Sequence, residues 1–532
     1  MPGARKNGSS GIHFISDMRF GAYYWSSEIM VEMESLRKEL REMERYREAA
    51  QLVQLDIETV CPSGGMEEEA EIAAFLEKKE YLLRREAGYE KDVLSLHEKY
   101  DELSELEKIL SDTVYDRYLK EKNISPEKAH EFSLVEKKAY MNWRKAYDES
   151  DFGLFKESLS EVIRNKKEKS SLRILSPDEE GTFDSIYDMV LDENEKGFRV
   201  RQLDKIFNDC FAGVTDIKDR ILKSDKKIRT DFLSRKVSDE IQRKTAEYIA
   251  DVLGFDREKG SLIIAKHAFS DRISRYNVRI TTYFDPALFT SNIFSVLHET
   301  GHALFELLQP EENFEYYISD NKTQGMHEAV ARFFENIIGR SEGFIHYIYP
   351  ALKELMPEAL SDVSEREFYE AVNYVSPSFI RTDADEVTYS LHIIIRYELE
   401  KKLFSGELKI DDLPEEWNRL YEKYLGIRPG NDREGVLQDV HWSSSFGYFP
   451  TYLLGNIYSA AFYSVLQKDM DVDSVLRNGK INEITGWLKE RVFYKADRLA
   501  PAEWIKDITG KELSASDYVS YLDRKYSLIY GI

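Results

Sequence analysis

The sequence predicts a mostly α-helical protein with a small β-sheet, and three observations carry that reading. Residues 31–173 are dense in Glu, Lys, Leu and Arg, with apolar positions three and four apart, as in the run Met33–Ala50. Proline is scarce, with 13 in 532 residues, which suits long helices joined by few irregular loops. A further apolar stretch, Ser291–Leu308, has helical character and is followed by Pro310.

The N-terminal helices break at Cys61-Pro62-Ser63-Gly64-Gly65, where proline and paired glycines cannot continue a helix, so helical hairpins are expected on either side. This heptad-like pattern on its own is also what a coiled-coil scaffold would show. Two segments read as strands: Leu262–Phe269, and Val278–Tyr283. Asp271–Tyr276 between them is polar enough for a turn. A small sheet is therefore expected beside the Ser291–Leu308 helix, which Ser291 or Asn292 can cap.

Composition narrows the function. A formal charge of −24 excludes the clustered Lys and Arg that nucleic-acid phosphates need. Two cysteines, Cys61 and Cys210, provide neither a disulfide framework nor a Cys-rich zinc finger, and fit a reducing cytoplasm. The small polar residues 1–11 and the charges at Asp17, Arg19 and Glu28 leave no secretory or membrane-spanning apolar run. The first 30 residues read as a partly disordered extension, and residues 31–532 as one helical unit with its catalytic portion in 174–532.

That portion contains His298-Glu299-Thr300-Gly301-His302, an H-E-x-x-H pattern inside the apolar helix. Residues four apart share one helix face, so two imidazoles can converge on a metal ion while Glu299 serves as general base toward a water molecule. Catalytic zinc commonly takes three protein ligands, and Glu328 on a second predicted helix ending at Gly339 is the best third donor, with Glu335 as the alternative. His327 reads as a supporting residue. Zinc is the expected ion, with cobalt or manganese compatible with the same donors. The chemistry is peptide hydrolysis, in which the phenols of Tyr448 and Tyr452 could donate to an oxyanion.

Several separated segments together resemble the carboxypeptidase Taq family of metallocarboxypeptidases, from about residue 30 to the C-terminus. Besides His298–His302, His267-Ala268-Phe269 resembles the family's His-Pro-Phe, and Asn277-Val278-Arg279-Ile280-Thr281 its Asp-x-Arg-x-Thr. Ile380–Asp385 matches Ile-Arg-x-x-Ala-Asp, and Gly435–Trp442 matches Gly-x-x-Gln-Asp-x-His-Trp in full. The resemblance implies a two-lobed, saddle-like helical fold with a deep groove flanked by the N-terminal helices. It also implies a homodimer, and release of single C-terminal residues from unfolded peptides with broad preference.

By position, His298, His302 and Glu328 would bind the metal and Glu299 would be the base. Arg381 or Arg279, with His267 nearby, would meet the substrate carboxylate, and His441 with Tyr452 or Tyr448 would steady the tetrahedral intermediate. The chain departs from the family at Ala268, Asn277 and Ala329-Val330, none of which is a metal donor or the base. The alternatives are a metal-dependent oligopeptidase, endo- or dipeptidyl-cleaving, and an inactive helical scaffold or binding protein.

Overall fold

The structure, a computed structural model, describes residues 27–532, so the expected extension over 1–30 falls almost wholly outside the described residues. The chain is mostly helical, as its periodicity predicts. Helix α1 (Ser27–Thr59) and α2 (Met66–Leu83) form an antiparallel hairpin whose turn is the Pro62–Gly65 segment. Helices α3 (Ala87–Glu98) and α4 (Glu105–Glu121) pack on α1 through Leu36, Val93, Leu96 and Leu110, all without exposed surface. Helix α4 starts at a capping box in which Ser104 and Glu107 satisfy each other's backbone amides.

This N-terminal core is separate from a much larger one built from the rest of the chain. A loop bridges them: Tyr316, Tyr317 and Ile318 leave the large body and insert into the N-terminal core, with Ile318 fully buried there. Tyr317 adopts φ 55°, a left-handed conformation costly for a residue with a side chain. Helices α5 (Pro126–Glu149), α6 (Lys156–Leu172) and α7 (Ile186–Asn194) then lead into the large body.

The three strands among the described residues form one sheet of order β1-β3-β2. Central β3 (Asn277–Thr282) runs parallel to β1 (Gly260–Ile264) and antiparallel to β2 (Ser270–Ser274). The reading of Leu262–Phe269 as one strand and Asp271–Tyr276 as a turn is corrected on both counts. The first strand stops at Ile264, and most of the supposed turn is an edge strand. Its polarity has a physical cause: of β2 only Ile273 is buried, while Ser270, Asp271 and Arg272 border a solvent-accessible cavity.

No helix among the described residues is long and apolar enough to cross a membrane. The cysteines are free, Cys210 buried and Cys61 at the hairpin turn.

Candidate metal centre

The Ser291–Leu308 run lies in a helix, Phe289–Leu307, that is buried on nearly every face: Ile293, Leu297, Thr300, Ala303 and Phe305 have no exposed surface. Burying one such Leu or Phe contributes about 2 kcal/mol relative to exposure, which makes this helix a rigid support. It begins two residues before Ser291, so neither Ser291 nor Asn292 is the N-cap. Instead the buried Asn292 joins the helix to the sheet, accepting from Thr282 Oγ1 at 2.9 Å and donating to the Gln242 carbonyl at 2.8 Å.

After the Glu311–Glu315 helix and the Tyr316–Ile318 insertion comes a nine-residue helix, Gln324–Arg332, capped by Thr323 and carrying His327 and Glu328. Its continuation widens into a π-helix over Phe333–Ile338 and ends at Gly339, a distortion common at functional sites. Glycine sets how closely this glutamate helix meets the histidine helix. A Cβ on Gly301 would lie 2.9 Å from Ala331 Cα and 3.0 Å from the Val330 carbonyl oxygen, closer than backbone atoms yield.

The close approach brings three donors together. His298 Nε2 and His302 Nε2 lie 3.2 Å apart, and Glu328 Oε2 is 3.7 Å and 3.8 Å from them. All three donors lie within 4.8 Å of one another. Two nitrogens bound to one tetrahedral zinc at about 2.05 Å stand about 3.3 Å apart, so the imidazole pair is spaced as such an ion requires. The outer nitrogens are also held. His298 Nδ1 is 2.9 Å from Glu335 Oε2, and His302 Nδ1 is 2.5 Å from His327 Nδ1, whose Nε2 is 2.6 Å from Glu306 Oε1. Partners of this kind fix the orientation of imidazoles that bind metals. Glu335, the alternative donor, thus sits on the far side of the His298 ring, and His327 backs His302.

Negative charge dominates the cluster. Burial would lower the His298 pKa, yet Glu328, Glu335 and Glu299 raise it to about 9. Burial, reinforced by Glu328 and opposed by His298, pushes Glu299 up to about 7. Glu335 resists burial and is held at about 2, chiefly by Arg332 and by His298. Two imidazoles with converging Nε2 atoms, a carboxylate with one oxygen directed at them and surplus negative charge form a donor set that fits a divalent cation.

These groups open onto a cavity of about 500 Å³ between α1 and the histidine helix. Arg47 and Gln51 of α1, Ser270 and Arg272 of β2, and Tyr448 and Tyr452 contribute to its walls, with Glu299 on its floor. Glu299 is 6% exposed and hydrogen-bonds Ser270. The tyrosines sit at the start of a third helix, Phe449–Asp469. Burial, with the nearby Glu328, raises Tyr448 to about 12, and burial and Tyr448 raise Tyr452 further, so both phenols keep their protons.

Behind Tyr452 is a second charged group. Arg381 is 6% exposed, donates from Nε and Nη2 to Asp439 Oδ1 at 2.9 Å each, and lies 5.0 Å from the Tyr452 ring centroid. Asp439 also holds the fully buried Arg396. His441 Nε2 is 2.9 Å from the Tyr452 hydroxyl, and burial with Arg381 lowers the imidazole to about 3, keeping it neutral. The remaining expected site residues stand apart. The exposed His267 engages only through its carbonyl, which accepts from Thr281 Oγ1, and Arg279 donates to Ser261 Oγ on the sheet; neither lines the cavity.

Sequence reasoning passed over Arg332, four residues after Glu328 on the same helix face, whose Nε donates to Glu328 Oε1 at 2.6 Å. That i,i+4 spacing was its available signal. It also missed the ion pairs of Asp320 with Arg47 and Arg272, which join α1 to β2 across the cavity mouth. Only the fold brings those three together.

Known proteins share this arrangement of elements. A family model described as carboxypeptidase Taq (M32) metallopeptidase matches residues 35–526. Carboxypeptidase 1 of Bacillus subtilis (strain 168) is 35% identical over 493 residues, covering 92% of this chain and 97% of the relative. Thermostable carboxypeptidase 1 of Thermus thermophilus is 38% identical over 407 residues, 76% of this chain and 80% of the relative. The crystal structure of an M32 carboxypeptidase from Deinococcus radiodurans R1 superposes with a TM-score of 0.89 at 31% identity, covering 94% of this chain and all of that one.

Proposed function

The chain belongs to the carboxypeptidase Taq (M32) family of metallopeptidases, and on that footing we propose that it is a zinc-dependent carboxypeptidase releasing single C-terminal residues from unfolded peptides. The observation that carries this reading is the convergence of His298 Nε2, His302 Nε2 and Glu328 Oε2 at the floor of a cavity that also holds Glu299.

His298, His302 and Glu328 would hold the ion, which when bound polarises the scissile carbonyl and acidifies water. Glu299 Oε accepts the proton of the attacking water and delivers it to the leaving amine nitrogen, a task suited to a carboxyl raised toward neutrality. The protonated phenols of Tyr448 and Tyr452 donate to the oxygen that gains charge, and the neutral His441 orients the Tyr452 hydroxyl from behind. Arg381 is the cation proposed for the free carboxylate of the peptide. It lies behind Tyr452, 5.0 Å from the ring centroid and outside the cavity lining, with Nε and Nη2 on Asp439, so meeting the carboxylate requires those contacts to be exchanged. The cavity admits a peptide end and not a folded chain, and its walls contain few apolar side chains to select one residue type, which favours broad preference.

Cobalt or manganese would suit the same donors. A homodimer would cover exposed apolar side chains of α2 such as Ile72 and Phe75, and free cysteines fit the cytoplasm. Glu299→Gln tests the mechanism: it should retain one ion per chain by elemental analysis and lose turnover by at least about 10³-fold. Turnover within tenfold of the parent would remove Glu299 from the role of base.

A further inference from the structure

Glu195 stands directly after α7, is not itself among the residues that line the cavity, and is 2% exposed. Three donors converge on its carboxylate. Thr323 Oγ1 at 2.8 Å and the Tyr458 hydroxyl at 2.9 Å donate to Oε1, and the Gly325 N–H at 2.8 Å donates to Oε2. Thr323 is the N-cap of the glutamate helix, where its hydroxyl oxygen also accepts from Met326 N at 3.3 Å, and Gly325 lies in the first turn. Tyr458 belongs to the tyrosine helix. A single buried carboxyl group therefore ties the start of one helix to the flank of another.

The fit has no slack. A Cβ on Gly325 would approach Glu195 Oε2 to 2.6 Å, so a side chain there would displace the carboxylate from its three donors. Three residues before Tyr458, a Cβ on Gly455 would lie 2.6 Å from Glu328 Cγ, so the tyrosine helix presses on the stem of the Glu328 side chain itself. A nine-residue helix does not hold its own geometry in isolation and takes its position from such contacts. A buried carboxyl group is costly unless it is hydrogen-bonded, and here both of its oxygens accept from the two helices that carry Glu328, Tyr448 and Tyr452.

We propose that Glu195 is a positioning residue of the metal centre: by clamping the start of the glutamate helix to the tyrosine helix, it holds Glu328 Oε2 over the two imidazoles and keeps Tyr448 and Tyr452 facing them. The inference rests on Glu328 being a metal donor. Glu195 itself touches neither ion nor substrate.

The test is the zinc affinity of the metal-free protein, read by competition with a chromophoric chelator, with thermal unfolding of the metal-free protein measured alongside. Glu195→Ala should bind zinc at least about tenfold more weakly, as for other partners that orient metal ligands. Glu195→Gln, which keeps an acceptor in the same volume, should stay within about threefold, and Tyr458→Phe, which removes one donor, should lose about three- to fivefold. A role in folding alone would lower the unfolding temperature and leave the zinc affinity of folded molecules unchanged. That result for Tyr458→Phe, the variant that decides if Glu195→Ala does not fold, overturns the proposal. Glu328→Gln separates the two claims: normal affinity in it overturns the donor assignment and this inference together, whereas weak binding there with normal binding in Glu195→Ala and Tyr458→Phe overturns the inference alone.

Discussion

Arg332 stands between Glu328 and Tyr389: its Nε donates to Glu328 Oε1 at 2.6 Å and its Nη2 to the Tyr389 hydroxyl at 2.8 Å. Tyr389 in turn accepts from Arg381 Nη1 at 3.1 Å, so a phenol links the charged group at the metal cluster to the one around Asp439. The guanidinium takes one oxygen of Glu328 and leaves the other for the imidazole pair.

Removing that fork should free the carboxylate to rotate. Arg332→Met is expected to weaken metal binding about 10- to 100-fold, and Arg332→Lys to recover only part of the loss, because an ammonium keeps the charge without the planar geometry. Chelator competition measures both. Equal affinities for the parent and Arg332→Met would mean that Glu328 is oriented by packing alone.

The close helix approach at Gly301 makes a second expectation. Gly301→Ala must push the histidine and glutamate helices apart, at a cost of about 1–3 kcal/mol in denaturant unfolding, with a parallel fall in metal affinity. Gly486, inside the helix Ile481–Leu488, has open space at its Cβ position, and Gly486→Ala should instead stabilise by about 0.5–1 kcal/mol without touching the metal site. Similar effects of the two substitutions would contradict the packing described.

A third expectation concerns pH. Glu400 has no exposed surface and accepts from the Tyr187 hydroxyl, Trp442 Nε1 and Gly447 N, yet burial outweighs these donors and pushes its carboxyl from 4.5 up to about 7. A raised folded-state pKa means that the folded protein keeps a proton the unfolded chain releases. The stabilisation from this group is therefore complete below about pH 4.5 and is lost as pH rises through about 7, on the order of 3 kcal/mol. Glu400→Gln carries no such proton. Measured on metal-free protein, its unfolding free energy should gain on the parent between pH 5 and pH 8, and a constant difference over that range would show Glu400 already ionised.

Much of the fold was legible because helices announce themselves locally. The 3.6-residue periodicity of α1, the Pro62–Gly65 break and the apolar run around His298 all depend on neighbours in sequence. The approach of Glu328 to His298 and His302 could be anticipated because the two helices follow one another in sequence. The short connection expected between them is instead residues 308–323, with a helix of its own at Glu311–Glu315 and the insertion into the N-terminal core. Other features obey tertiary context. Ser270–Ser274 is polar because one side of that edge strand faces the cavity, so its pattern imitates a turn. Asn292 looks like a cap and is spent on Thr282 and Gln242 instead. Glu195 and Glu306 are ordinary glutamates in sequence, and only their hydrogen-bond partners, hundreds or tens of residues away, distinguish them.

The central claim is metal-dependent removal of single residues from a free C-terminus. Metal-replete protein is incubated with one mixed-sequence peptide and its C-terminally amidated twin, followed by mass spectrometry with and without chelator. A ladder of single-residue losses from the free-ended peptide alone, abolished by chelator, is the expected result. Internal cleavage of both twins would contradict the claim, and so would a ladder that survives complete removal of the metal.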